Sequence, residues 1–250
     1  MTRLKTRLIR TPQEVVEHFD RIAPEYHDAH GPAERQLAYR LGIIQRLLAG
    51  ARRGTLLEIG CGTANHLIPL AGEFSRALGV DVSAEMVRVA RGRAVGSPWH
   101  DRISLSVDSA EELATVEDRS VDAVLCVGAL EHMLDRPRVV CQVHRVLRPG
   151  GVFVCLTPNG GSCWYRHLAP ILGLDTRHLS TDRFLTIGEL ESLIADAGLV
   201  RTRREHWRFV PRGDLPAGWG SVLQALDWAG MLLGVGYLRG GIAICAVRSA

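Results

Sequence analysis

Leu56-Leu57-Glu58-Ile59-Gly60-Cys61-Gly62-Thr63-Ala64 is the stretch on which the reading of this chain turns. Leu56, Leu57 and Ile59 have the character of a buried strand, the small residues from Gly60 to Ala64 that of a tight turn, and the chain from near Asn65 that of a helix. Glycines at such a turn let the backbone pass close beneath a ligand, and the N–H groups at the helix start have no partners of their own.

The rest of the chain keeps this rhythm. Apolar runs at Thr55 to Ile59, Ala77 to Val80, Ile103 to Val107, Val121 to Val127 and Gly151 to Thr157 alternate with amphipathic segments, which implies a parallel sheet covered on both faces. Ser83 supplies a cap for the helix that opens Ala84-Glu85-Met86-Val87, and Pro149-Gly150-Gly151 a stop after Val139 to Leu147. Upstream, Val15, Val16, Phe19 and Ile22, then Leu37, Leu41, Ile44, Leu47 and Leu48, recur at helical spacing around breaks at Pro24 and Gly31-Pro32, so two helices precede the sheet. Downstream, Pro158 to Asp182 lacks a period and reads as an insertion. Ile187 to Ala197 reads as a helix closed by Gly198, Val200 to Phe209 as a strand, Pro211 to Gly240 as a second irregular stretch and Ile242 to Val247 as a final strand.

Composition narrows the function. With 250 residues, 46% of them hydrophobic, the chain can bury a full core. A net charge of +3, with no basic run beyond Arg201 to Arg204, argues against a surface that tracks nucleic-acid phosphates. The six cysteines form no CxxC pair, so neither a zinc site nor a disulfide framework is expected. Met1 to Arg10 lacks the apolar stretch of a secretory signal, and Trp228 to Val247, broken by Arg239 and glycines, reads as a helix end and a buried strand rather than a membrane span. A cytoplasmic location is the expectation.

Asp81 ends the second apolar run, about 20 residues beyond the glycine turn, where a carboxylate accepts hydrogen bonds from ribose hydroxyls. Either feature alone is ambiguous, since strand-end aspartates also cap helices; together they indicate a nucleoside. Two details separate a dinucleotide from S-adenosylmethionine: the acid Glu58 ahead of the first glycine, and Asn65 where GxGxxG would place its third. Both favour the sulfonium ligand, which has an ammonium for the acid and no pyrophosphate.

These motifs resemble those of class I S-adenosylmethionine-dependent methyltransferases, within them the small-molecule group that includes enzymes of the ubiquinone-biosynthesis type. The resemblance runs from about Phe19 to Phe153. It includes Asp108-Ser109-Ala110-Glu111, the run Asp122 to His132 and the turn Leu147-Arg148-Pro149-Gly150-Gly151. It implies a Rossmann-like three-layer α/β sandwich, its seven-stranded sheet mostly parallel with the last strand antiparallel, plus N-terminal helices and a lid. Residues 1–50 would form a helical cap, 51–157 the cofactor-binding core, and 158–186 and 211–240 insertions making an acceptor-side lid, all in one domain. By the same resemblance Glu58, Gly60, Cys61 and Gly62 cradle the methionyl part of the cofactor, Asp81 holds the ribose, Asp108, Ser109 and Ala110 face the adenine, and Val82, Met86 and Val127 are further cofactor-binding positions. Phe19-Asp20-Arg21-Ile22-Ala23 with Tyr26 resembles a helix that folds over the cofactor, Tyr26 near the sulfur. Ala64 replaces a frequent third glycine.

If the methyl acceptor is a hydroxyl, a base must take its proton, and histidine suits neutral pH. His178, in the insertion, is the first candidate and His132, at the sheet's carboxyl edge, the second; His27, His30 and His167 are others. Trp164, Trp207, Trp219 and Trp228, with Tyr165, Phe209 and Tyr237, either wall a flat, lipophilic acceptor or pack the insertions onto the sheet. The leading expectation is O-methylation of a small metabolite, with S-adenosyl-L-homocysteine as product, by a monomer or homodimer without metal or nucleic acid. N- or C-methylation, a nicotinamide oxidoreductase and a non-catalytic S-adenosylmethionine-binding subunit are the alternatives. Cys126-Val127-Gly128-Ala129 lacks the Pro-Pro-aromatic run of enzymes that grip an amino-bearing base.

Overall fold

A computed structural model describes residues 8–9, 11–26, 33–174, 176–177, 179–209 and 218–249. Helices α1 (Pro12–Ile22) and α2 (Ala33–Leu47) come first. Then follow β1 (Thr55–Ile59), α3 (Leu67–Leu70), β2 (Arg76–Asp81), α4 (Ala84–Val95), β3 (Ile103–Val107), β4 (Val121–Val127), α5 (Arg136–Val146) and β5 (Leu147–Pro158). After a π-helical turn at Trp164–Leu168 come α6 (Ala169–Ile171), α7 (Ile187–Asp196), β6 (Leu199–Trp207), α8 (Trp219–Leu233) and β7 (Gly241–Arg248).

Local chemistry sets the helix starts. Thr11 and Glu14 exchange hydrogen bonds as a capping box ahead of α1, and Thr186 and Glu189 do the same for α7. The Ser83 hydroxyl accepts from Met86 N–H at 3.0 Å at the start of α4, and Asp135 from Arg138 N–H at 3.0 Å at the start of α5.

The sheet runs β3-β2-β1-β4-β5-β7-β6, parallel except for β7, which is antiparallel to both its neighbours. Alternation divides each central strand between two cores. Leu56, Ala123, Leu125, Val152, Val154 and Cys245 face Ile43, Leu47, Leu67 and Val87 of α2, α3 and α4. Leu57, Val124, Cys126, Phe153 and Ile244 face Val139, Val143, Leu190 and Ile194 of α5 and α7. The chain winds outward from β1 to β3 and returns to β4, so the β1 and β4 ends flank the switch point where open α/β sheets take their ligands.

Strand and helix positions match the sequence reading within a few residues except in two places. The first α-helix after the glycine turn begins at Leu67, because the turn continues through His66. The stretch read as irregular from Pro211 to Gly240 contains α8. Its glycines and nearly uncharged composition conceal the period, and left-handed Gly218 and Gly234 bound it. It packs Leu223 and Trp219 against Trp164 and Ala169, so these rings fill a second small core, while Trp228 is 62% exposed. No helix among the described residues is long and apolar enough to cross a membrane.

Phe153 is fully buried between β5 and the α5–α7 layer. Phe153→Ala should cost about 3–5 kcal/mol of unfolding free energy, read as a lowered urea midpoint at unchanged slope.

Candidate functional site

Where the β1–β2 ladder ends, one side chain takes over. Cys61 N–H still bonds to the Val80 carbonyl at 3.0 Å; the next donor, Gly62 N–H, goes to Asp81 Oδ2 at 2.8 Å, and Ser83 N–H goes to Asp81 Oδ1 at 3.0 Å. The turn needs left-handed backbone: φ is +62° at Gly60, +51° at Gly62 and 60° at Ala64. A Cβ on Gly60 would also stand 2.6 Å from that of Ala129. Arg93 of α4 clamps the turn from below, donating to the Thr63 carbonyl and to Asn65 Oδ1 at 2.7 Å. Burial raises the pKa of Asp81, and the bonds from Ser83 and Gly62 draw it back.

Glu58 points into the same hollow from β1, almost wholly buried. Its Oε1 lies 3.2 Å from Nδ1 of His66, a residue the sequence reading did not single out, while Oε2 is buried with no partner among the described residues. Tyr26 stands over the turn, its ring 3.7 Å from where a Gly62 Cβ would be. Its phenol is pushed up to about 12 by burial and by the charges of Asp81, Glu131 and Glu58, with Arg40 opposing. Three carboxylates therefore gather around the Tyr26 phenol. That donor set fits a ligand carrying positive charge, with the orphaned Glu58 oxygen suited to an ammonium, and opposes a pyrophosphate. The nicotinamide alternative is disfavoured on that ground, and S-adenosylmethionine fits.

On the β4 side, His132 Nδ1 meets Asp182 Oδ1 at 2.7 Å. The Asp182 side chain is fully buried, and its Oδ2 accepts from Leu179 N–H at 2.9 Å. Burial alone would lower the His132 pKa, but the bond to Asp182 and the charges of Glu131 and Asp182 raise it. Glu131, also missed as a candidate, accepts from Thr157 Oγ1 at 3.1 Å and is raised chiefly by burial. Phe19 of α1 packs edge-on against the His132 ring at 5.5 Å between centroids. Its neighbour Asp20 accepts from Ser83 Oγ at 2.6 Å and from Glu85 N–H at 3.1 Å. Thus α1 is fastened to the start of α4 and touches His132 as well.

The other expected residues have these places. Met86 and Val127 are buried at the ends of their elements beside Asp81 and the glycine turn, and Val82 is 38% exposed at the rim. Asp108 N–H bonds to the Asp81 carbonyl at 3.0 Å, while its Oδ2 accepts from the Thr115 N–H and hydroxyl, closing the loop that holds Ser109 and Ala110. His167 lies against Tyr237, with 6.1 Å between centroids. His178, His27 and His30 lie outside the described residues. Of the basic cluster, Arg201 and Arg204 pair with Glu191, and Arg203 binds the Arg46 and Ala49 carbonyls, so these arginines fasten the edge strand. Nothing in the local sequence announces Asp20, Asp182 or His66 as partners; each meets its counterpart only through the fold.

Comparison with known proteins identifies the family. Residues 57–155 match the family described as a methyltransferase domain. The chain is 30% identical over 199 residues to a ubiquinone biosynthesis O-methyltransferase of Xanthomonas oryzae pv. oryzae, covering 75% of this chain and 80% of that one. It is 34% identical over 104 residues to a demethylmenaquinone methyltransferase of Symbiobacterium thermophilum, a match spanning 40% of this chain and 41% of that protein. In fold it is similar to the geranyl diphosphate C-methyltransferase of Streptomyces coelicolor A3(2), solved with S-adenosyl-L-homocysteine, with a TM-score of 0.66 at 16% identity over 95% of this chain and 98% of that one.

Asp81→Ala removes the carboxylate expected to accept from the ribose hydroxyls, charge-assisted bonds of about 1.5–3 kcal/mol each, so S-adenosylhomocysteine affinity should fall by about 100-fold or more. Calorimetry on a variant shown to be folded by circular dichroism checks this; retained affinity would remove Asp81 from the seat.

Proposed function

This chain belongs to the class I S-adenosylmethionine-dependent methyltransferases acting on small molecules, and we propose that it methylates an oxygen of a flat, lipophilic or aromatic acceptor. The observation that carries the choice of oxygen is the buried His132–Asp182 pair beside the cofactor hollow. A hydroxyl must lose its proton as it is methylated, and a histidine oriented by a carboxylate is suited to take it. The ubiquinone biosynthesis O-methyltransferase similarity supports the same reading.

When bound, the cofactor supplies a methyl group on a positively charged sulfur. The rest belongs to the chain. Glu58 and the turn from Gly60 to Gly62 would hold the methionyl end, Asp81 the ribose, and Asp108, Ser109 and Ala110 the adenine, with Val82, Met86 and Val127 as further contacts. Tyr26 and α1 cover the hollow, and the insertion after β5 helps to exclude water, since alignment and dryness are the main requirements of an in-line displacement. Asp182 engages Nδ1 of His132, which fixes the tautomer; the acceptor's proton then goes to Nε2, and Asp182 steadies the resulting imidazolium. His178 is the competing base.

Two measurements test this. A panel of phenols, catechols, amines and carbon acids scored by adenosylhomocysteine release, with products identified by mass spectrometry, should show oxygen methylation of aromatic hydroxyls; turnover confined to amines or carbon acids would overturn it. For the base, activity should rise with pH through the His132 pKa, which stands above its ordinary 6.5, because the neutral ring is the active form. Asp182→Asn removes the partner that raises this pKa, so the acid limb should move to lower pH while the maximal rate falls. His132→Ala should lower kcat about 100-fold with cofactor affinity kept. A larger loss in His178→Ala would transfer the role.

A further inference from the structure

On the outer side of the sheet's carboxyl edge, a cleft of about 410 Å³ opens between α2, the end of β6 and α8. Its walls include Tyr39, Arg208, Asp227, Trp228, Met231 and Arg239, none of which belongs to the cofactor seat. Topology brings the two arginines together: Trp207 pairs with Gly241 where β6 ends and β7 begins, so Arg208 leaves the sheet as Arg239 approaches it.

The charges here are not balanced. Arg239 is only 8% exposed, and its Nε stands 3.2 Å from Asp227 Oδ1, an ion pair by distance. That Nε donor is buried and poorly aligned for a hydrogen bond, and the same Asp227 Oδ1 also accepts from Gly240 N–H at 3.3 Å. Arg208 differs from the other arginines of its strand, which hold Glu191 or main-chain carbonyls. Its backbone N–H donates to the Tyr39 hydroxyl at 2.9 Å and its guanidinium lies over the Tyr39 ring at 5.2 Å, with no hydrogen bond from that guanidinium to a described residue. Among the described residues lining the cleft, two guanidiniums against one carboxylate leave a single positive charge. Beside it Trp228 and Met231, 62% and 52% exposed, present an aromatic and an apolar surface to solvent.

We propose that this cleft binds a small aromatic monoanion, its carboxylate held by Arg208 and Arg239 and its ring lying against Trp228. One carboxylate cancels that residual charge, and it can accept from the exposed Arg208 guanidinium, which has no hydrogen bond to a described residue. A dianionic phosphate would leave the cleft negative. The volume is within the range of small-molecule pockets. The site goes beyond the oxygen-methylation reading and stands without it.

Calorimetry on the full chain with 2-naphthoate, its neutral counterpart 2-naphthamide and inorganic phosphate tests the proposal. One naphthoate should bind per chain, about tenfold or more tighter than the amide, and phosphate should not displace it. Arg239→Gln would leave Asp227 buried and unpaired and could unfold the chain, so the decisive variants are Arg208→Gln and Trp228→Ala, both at exposed positions. Each should weaken naphthoate about tenfold or more while adenosylhomocysteine affinity stays unchanged. Equal binding of acid and amide, displacement by phosphate, undiminished affinity in both variants or no naphthoate binding at all would each overturn it.

Discussion

The Asp81 carboxylate, bonded to Gly62 N–H on one side and Ser83 N–H on the other, is the joint on which the rest of the seat depends. Parallel pairing of β1 and β2 carries hydrogen bonds only as far as Cys61; beyond it the two strands diverge into unrelated turns. A side chain that accepts from both turns restores the connection where the ladder ends, and it can do so only because left-handed backbone at Gly60 and Gly62 aims the amide inward. Ala64 adopts the same hand without glycine's freedom, a conformation that costs a residue with a Cβ about 1 kcal/mol or more. The Arg93 clamp on Thr63 and Asn65 is what keeps it there.

Ser83 ties this joint to the rest of the molecule. Its N–H serves Asp81, its hydroxyl oxygen accepts from Met86 N–H to start α4, and its hydroxyl proton goes to Asp20 of α1. One residue therefore has every polar capacity engaged across three elements. Phe19, next to Asp20, touches His132, so the helix that covers the cofactor hollow is also in contact with the proposed base on the β4 side. A shift of α1 cannot disturb one without disturbing the other.

The βαβ rhythm, the glycine turn and Asp81 were legible in the chain because periodicity and turn chemistry are local. Strands β1, β3 and β4 match their expected limits for that reason. What was not legible is of two kinds. Helix α8 lacks a polar face to contrast with its apolar one, so its period is hidden until Trp164 and Leu223 are seen to pack together. The partners Asp20, His66 and Asp182 are ordinary polar residues in sequence, and they acquire roles through contacts 63, 8 and 50 positions away. The aromatic residues read two ways beforehand divide between both: Trp164 and Trp219 pack, while Trp228 is open to solvent.

Gathering Glu58, Asp81 and Glu131 around one hollow is costly for a fold, since each is buried and His66 is the only basic side chain hydrogen-bonded to any of their carboxylates among the described residues. A cationic ligand offsets that cost, so binding and stability are coupled through the same charges. Those charges cannot also be the source of rate. Positive charge disappears from sulfur as the methyl group moves, so a carboxylate beside the sulfonium would favour the ground state over the transition state. On the proposed reading the orphaned oxygen of Glu58 resolves the conflict by serving the ammonium, which keeps its charge throughout. Acceleration is then left to alignment under α1, to exclusion of water, and to the proposed proton transfer at the His132–Asp182 pair.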